Sequence, residues 1–273
     1  MEDELYAPDP ERWRRVGRRL GWMLATLFLA FGALYLLRAG GLFEPVPLKI
    51  ADVRLAPSPP YSLARFMSEV QALGELPPVL PPSDGPQFLP LSRALTRHPW
   101  ILSVDELRYL HSNQVEIAVT YRTPAFELNQ EGQKFFLTAD GIVLSYVLGY
   151  QEQLIPIQGL KLNSKLVPGT QVKAPELKTA AKAAAALRYE WKHWQLIGME
   201  FSFDGVEQTL RLHAAGGSSI VWSSVDGLTS EATDLQKTAW LRDYVKQFGS
   251  FEKPNGPYLL DVRAQRLERK NLR

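Results

Sequence analysis

The chain has 273 residues, 45% of them hydrophobic and 22% charged, with a formal net charge of +2; a balance so close to neutral leaves no electrostatic footprint for nucleic acid. It contains no cysteine, which excludes a disulfide framework and thiolate chemistry. The length allows one or two globular domains beside a membrane segment.

Residues 1–11 carry Glu2, Asp3, Glu4, Asp9 and Glu11 with Pro8 and Pro10, a short disordered tail by composition. Arg12, Arg14, Arg15, Arg18 and Arg19 follow, and no charge occurs from Leu20 to Leu37. A helix that spans the hydrocarbon needs about 20 mostly apolar residues. Trp22 and Tyr35 near its ends suit the headgroup belts, and the arginines keep the first end cytoplasmic. The expectation is a cytoplasmic tail over 1–19, one uncleaved transmembrane helix over 20–37 and a body on the far side of the membrane. A signal peptide would have a shorter apolar core and an A-x-A-like end.

Residues 38–47 read as a linker. Leu48 to Leu55 alternates loosely as a strand, ended by Pro57, Pro59 and Pro60. Ser62 can cap a helix on which Leu63, Phe66, Met67, Val70 and Leu73 share one face. Pro77 to Pro90 is too rich in proline for a regular helix or a central strand and reads as an extended loop. Leu91, Ala94 and Leu95 make a short second helix, closed by His98 and Pro99. Ile101 to Leu110 is a strand with a bulge signalled at Asp105 and Glu106. After a tight turn at Ser112, Asn113 and Gln114, residues Val115, Ile117, Val119 and Tyr121 alternate with polar neighbours as a half-buried strand. Strand, helix, helix, strand, strand over 48–124 predicts a three-stranded sheet with two helices on one face.

Beyond Pro124 the rhythm is that of hairpins. Phe126 to Leu128, Lys134 to Thr138 and Ile142 to Ser145 form a meander across the Glu131-Gly132 and Asp140-Gly141 turns. A helix is predicted from about Pro175 to Trp194, with proline in its first turn and a run of alanines. Strands follow at Phe201 and Phe203, Leu210 and Leu212, and Ile220 and Trp222. A last helix runs from about Ser230 to Phe248, with Leu235, Trp240, Leu241, Tyr244, Val245 and Phe248 on one face, and Tyr258 to Arg263 is a final strand. The fold class is α+β: the transmembrane helix, a βααββ domain over 48–124, a mostly antiparallel β domain with two helices over 125–263, and a C-terminal tail over 264–273.

No motif carries chemistry. Neither G-x-x-x-x-G-K-[ST] nor G-x-G-x-x-G occurs, and His98, His111, His193 and His213 lack metal-ligand spacing. Ser218 and Ser219 lie near His213 in sequence, which does not make a triad. Catalytic, cofactor-binding and metal residues are therefore expected to be absent.

His98-Pro99-Trp100-Ile101, the strand pair ending in Tyr121-Arg122-Thr123-Pro124, and Phe135-Phe136-Leu137-Thr138-Ala139-Asp140-Gly141-Ile142-Val143-Leu144 resemble the bacterial division proteins of the FtsQ/DivIB family. Leu154-Ile155-Pro156-Ile157-Gln158-Gly159, Lys237 and Leu260-Asp261-Val262-Arg263 are similar to further family motifs. The resemblance implies that residues 48–124 are a POTRA domain. It also implies a non-catalytic bitopic scaffold of the inner membrane, at the division septum, that recruits and links FtsB- and FtsL-like membrane proteins. The implied partner-binding strand comprises Tyr258, Leu259, Leu260, Asp261, Val262, Arg263, Ala264 and Gln265. Arg263 would meet an acidic partner residue, and Ala264 stands where the family often has an aromatic. A late strand at a sheet edge offers unpaired N–H and C=O groups to another chain. Two other readings are a different POTRA-bearing envelope-assembly or secretion subunit and a membrane-tethered enzyme of unknown reaction.

Overall fold

The structure is a computed structural model that describes residues 22–24, 26–35, 47–80, 88–110, 114–162, 164–203, 205–225 and 231–272. Two compact units are distinguished, residues 1–48 with 79–87, and residues 49–78 with 88–273.

In the first unit, residues 22–24 and 26–35 are helical. The expected transmembrane helix over 20–37 is not found: among the described residues no helix is long and apolar enough to cross a membrane. Arg12, Arg14, Arg15, Arg18 and Arg19, with the expected cytoplasmic tail, lie outside the described residues.

The strand expected from Leu48 to Leu55 is two strands, β1 (Leu48–Lys49) and β2 (Val53–Ala56), parted by a 3₁₀ turn at Ile50–Asp52. Helix α1 (Leu63–Gly74) starts where the sequence places it, the Ser62 side chain accepting a hydrogen bond from the Arg65 N–H. It buries Phe66, Met67 and Val70, whereas Leu63 and Leu73, expected on the same face, are exposed. In the proline-rich stretch, β3 (Val79–Leu80) pairs with β1, and residues 81–87 lie outside the described set. Helix α2 (Leu89–Arg97) buries Leu91, Ala94 and Leu95.

Strands β4 (Ile101–Tyr109) and β5 (Val115–Tyr121) form an antiparallel hairpin whose register shifts between Val104 and Glu106, at the signalled bulge. Strand β2 joins β5 in parallel, giving the order β2-β5-β4. Of the turn expected between β4 and β5, Ser112 and Asn113 lie outside the described residues, while the Gln114 carbonyl accepts from the Leu110 N–H.

The meander is β6 (Pro124–Gln130), β7 (Gln133–Thr138) and β8 (Val143–Ser145). Strand β9 (Ile155–Gln158), which periodicity does not signal, lies between β6 and β10 (Leu196–Phe203) and is parallel to both. Helix α3 (Pro175–Leu187) stops short of the predicted Trp194; turns follow, ending at Gln195, whose φ of 51° breaks the helical course. Strands β11 (Gln208–Ala214) and β12 (Ser219–Ser224) complete the central meander. Helix α4 (Asp234–Phe248) begins at a capping box made by Thr233 and Gln236. Leu235, expected on its buried face, is 81% exposed, and Lys237 is buried instead.

Strand β13 (Tyr258–Asp261) is followed by β14 (Glu268–Asn271). The large sheet thus has nine strands in the order β14-β13-β12-β11-β10-β9-β6-β7-β8. Leu177, Ala180 and Leu187 of α3 and Leu241 and Tyr244 of α4 share one core with Leu210, Leu212, Ile220, Trp222 and Leu260. Both helices therefore cover the same face of the sheet. The C-terminal tail expected over 264–273 is in part the ninth strand.

Candidate functional site

The C-terminal end of the large sheet is built outward from β12. Ser218 is buried, and its hydroxyl donates to the Phe251 carbonyl (3.1 Å) while accepting from the Tyr258 N–H (3.0 Å). One side chain therefore fixes the point at which the last strand enters. Strand β13 then runs parallel to β12 with Leu259 beside Ser219, Leu260 beside Ile220 and Asp261 beside Val221. Tyr258, Leu260 and Val262 are buried, and Leu259 and Asp261 are half-buried, the alternation that one covered face imposes.

The edge expected along Tyr258 to Arg263 is occupied. Strand β14 pairs antiparallel with β13, matching Tyr258 with Asn271, Leu259 with Lys270, Leu260 with Arg269 and Asp261 with Glu268. The partner strand expected over Leu259 to Gln265 also ends early. Val262 lies beyond β13, and Arg263, Ala264 and Gln265 are in a bend, the last two exposed. Four bends in succession remove the straight row of backbone groups that a partner strand would need.

Arg263 is turned inward rather than offered to a partner. Its guanidinium donates to Asp261 Oδ2 (2.8 Å) and to Glu207, and its backbone N–H donates to Asp261 Oδ1 (3.0 Å). Burial pushes the Asp261 carboxyl up, but the side-chain and backbone hydrogen bonds from Arg263, with the charges of Arg263 and Lys270, outweigh it and hold the group below the usual carboxylate range. The hydrogen bond to Asp261 raises Arg263, so both groups stay charged. Glu207 also accepts from the Ser224 hydroxyl (2.6 Å). Glu231 accepts from the Ser224 N–H (2.5 Å), the Ser223 hydroxyl (3.0 Å) and Lys237 Nζ (2.7 Å). Lys237 Nζ also lies 5.5 Å from the Trp222 ring centre. Ser224 joins two ion-pair sets, Asp261–Arg263–Glu207 and Glu231–Lys237, and together they tie the end of β13 to the residue before β11, to β12 and to the start of α4. Two of the acidic members, Glu207 and Glu231, carry no periodicity that would reveal them in sequence.

Strand β14 is held differently. All four of its residues are exposed. Arg269 places its guanidinium 4.8 Å from the Tyr258 ring centre and 5.6 Å from that of Phe248, and Leu267, just before the strand, packs against the core.

A second polar knot lies between α1 and the start of β4. Tyr61 donates to Glu69 Oε2 (2.5 Å), and Arg65 Nε donates to Glu69 Oε1 (2.9 Å). The Trp100 N–H donates to His98 Nδ1 (3.3 Å), which leaves the proton on Nε2, 3.2 Å from Glu69 Oε2. Burial pushes the His98 imidazole down despite the carboxylate beside it. Burial pushes Glu69 up, but hydrogen bonds from Tyr61, Arg65 and His98 prevail and lower it.

The structure does bring Ser219 to His213, with Oγ 3.1 Å from Nδ1, and His213 Nε2 lies 2.8 Å from Glu200 Oε2. The three residues sit on neighbouring strands of the face away from α3 and α4. A hydrolytic site also needs a water-excluding pocket with donors for an oxyanion. Hollows lie beside Ile50 and Met67 (about 380 Å³), beside His193 and Glu252 (about 70 Å³) and beside Arg65 and Lys134 (about 550 Å³). None of these three borders the Ser219–His213–Glu200 row, which cross-strand pairing accounts for. Among the described residues, no three of His, Cys, Asp and Glu are grouped to hold a metal ion.

No protein-family model matches the chain, and no curated protein is similar enough to stand as a relative.

Proposed function

We propose that this chain is a non-catalytic scaffold of the bacterial division machinery, of the FtsQ/DivIB kind, that recruits and links FtsB- and FtsL-like proteins at the septum. The observation that carries the reading is the end of the large sheet, where the last two strands of the chain are laid outermost and the outermost is polar and exposed. An outermost strand leaves backbone N–H and C=O groups that a strand from another protein can use, and the charges of β14 limit casual pairing there. The charged groups around it, Arg263, Asp261, Glu207, Glu231 and Lys237, are engaged with one another, an arrangement that stiffens a platform rather than moves protons. The order of motifs from His98 to Leu144, and again from Leu260 to Arg263, supports the division family over other POTRA-bearing proteins.

Depletion of the protein in its native host tests the proposal. Filamentous cells with segregated nucleoids are expected, together with co-purification of FtsB- and FtsL-like proteins with the full chain. Normal division after a clean deletion would refute it.

A further inference from the structure

We propose that β14 is a displaceable cap on β13, and that the strand which takes its place is an extended segment of another protein with an apolar or aromatic residue opposite Leu260. The inference rests on the scaffold reading only for the identity of that protein.

The chain's own strand is a poor match for what it covers. It sets Lys270 opposite Leu259 and Arg269 opposite Leu260, so two charged side chains, of which the lysine is strongly hydrated, stand where cross-strand packing favours apolar or aromatic neighbours. Arg269 serves as a cover for Tyr258 and Phe248 through its guanidinium plane, a task that an aromatic or branched apolar side chain performs with greater burial. The strand's own side chains are exposed, so it is held mainly by backbone pairing, by Arg269 and by its tether through 262–267. Such a tether keeps the cap at high effective concentration without making it tight.

The backbone pattern shows which groups the cap occupies. The Leu272 N–H donates to the Pro257 carbonyl (3.1 Å). By antiparallel alternation, Leu259 with Lys270 and Asp261 with Glu268 are then the closely bonded pairs. The Val262 N–H donates instead to the Val221 carbonyl on β12 (3.1 Å), and Leu260 faces the same way by the same alternation. Lifting β14 would free Leu259 and Asp261 and leave Leu260 and Val262 bonded. Arg263 stays in its ion pairs with Asp261 and Glu207, so the end of β13 does not fray with the cap.

The test is residue-resolved amide hydrogen exchange on the full chain, on a chain stopped after Leu267, and on a Leu259→Cys, Lys270→Cys pair. Because the chain has no other cysteine, that pair closes one defined disulfide, and closely bonded antiparallel partners have a suitable Cα separation of about 5.5 Å. In the full chain the Leu259 and Asp261 amides should exchange at least about tenfold faster than those of Leu260 and Val262, with Lys270 and Glu268 keeping pace, as a separately opening unit requires. The oxidised pair should abolish the difference.

The same three proteins are titrated with a blocked synthetic peptide of alternating valine and threonine carrying one tyrosine. A cap closed nine-tenths of the time or more predicts binding to the chain stopped after Leu267 at least about tenfold tighter than to the full chain, and none to the oxidised pair until it is reduced. Equal protection of the four amides, or equal peptide affinity in all three proteins, would overturn the cap. Self-association of the stopped chain in place of peptide binding would overturn the proposed occupant in favour of a second copy. A cap that behaves as expected in a protein that captures no division partners would leave the device standing and remove the division reading.

Discussion

Lys237 Nζ lies 2.7 Å from Glu231 Oε2, with the lysine side chain 2% exposed and the glutamate 14%. Removing one member of such a pair leaves the other charge buried and uncompensated, which costs about 3–5 kcal/mol. Lys237→Met is expected at the lower end of that range, because Glu231 keeps its hydrogen bonds from Ser223 and Ser224. Lys237→Met combined with Glu231→Gln should recover much of the loss, since neither side chain then carries a charge. Urea denaturation of the singles and the double gives the coupling, and additive losses would show that the pair is not the source.

Stability should fall as pH drops below about 6.5, the ordinary histidine value. Burial lowers His98 in the folded protein, so between its folded and unfolded values the unfolded chain binds more protons, and the stability of the fold rises with pH. Protonation of Nδ1 would also break the hydrogen bond from the Trp100 N–H. Glu69, lowered in the fold, adds a further loss as pH falls through the carboxylate range. Urea midpoints at pH 7.5, 6 and 5 should therefore decrease in order, and His98→Gln should flatten the upper part of the series. An unchanged slope in that variant would assign the effect to other groups.

Gly159→Ala should be severely destabilising. Gly159 has φ +74°, and a Cβ there would lie 2.0 Å from the Phe201 carbonyl oxygen on β10. The conformation alone costs a non-glycine residue about 1–3 kcal/mol, and the contact with backbone adds to it because neither strand can yield without shifting the β9–β10 register. A melting temperature close to wild type would show that the strands part more easily than the sheet suggests.

Arg269→Ala should leave the urea midpoint nearly unchanged, because the side chain lies at the surface of an edge strand. The same substitution should speed exchange of the Leu259 and Asp261 amides several-fold by removing the cover over Tyr258 and Phe248. Unaltered exchange would mean that backbone pairing alone holds β14.

Much of the local structure is written in side-chain order. Ser62 before Phe66, Met67 and Val70 marks α1, the strict alternation from Val115 to Tyr121 marks β5, and Asp105 with Glu106 marks the bulge in β4, each because a single repeat decides what faces the core. The span expected over 20–37 shows the limit of composition: apolar length is read from the residues, but no described helix is long and apolar enough to cross a membrane. Strand β9 was illegible for another reason. Ile155-Pro156-Ile157-Gln158 is short and contains a proline, and its central place comes from β6 and β10 on either side.

At the candidate site, side-chain order predicts a strand from Tyr258 to Arg263, because alternating apolar residues there have one face to bury, and the strand holds over Tyr258–Asp261. That this strand is not the edge, and that Arg263 turns inward, follows from contacts between residues far apart in the chain. Glu268-Arg269-Lys270-Asn271 carries the polarity of a solvated tail, and an exposed edge strand has the same polarity. What separates the two is whether backbone N–H and C=O groups meet another strand. Those groups are nearly identical in every residue, so their pairing leaves no mark on the side-chain pattern.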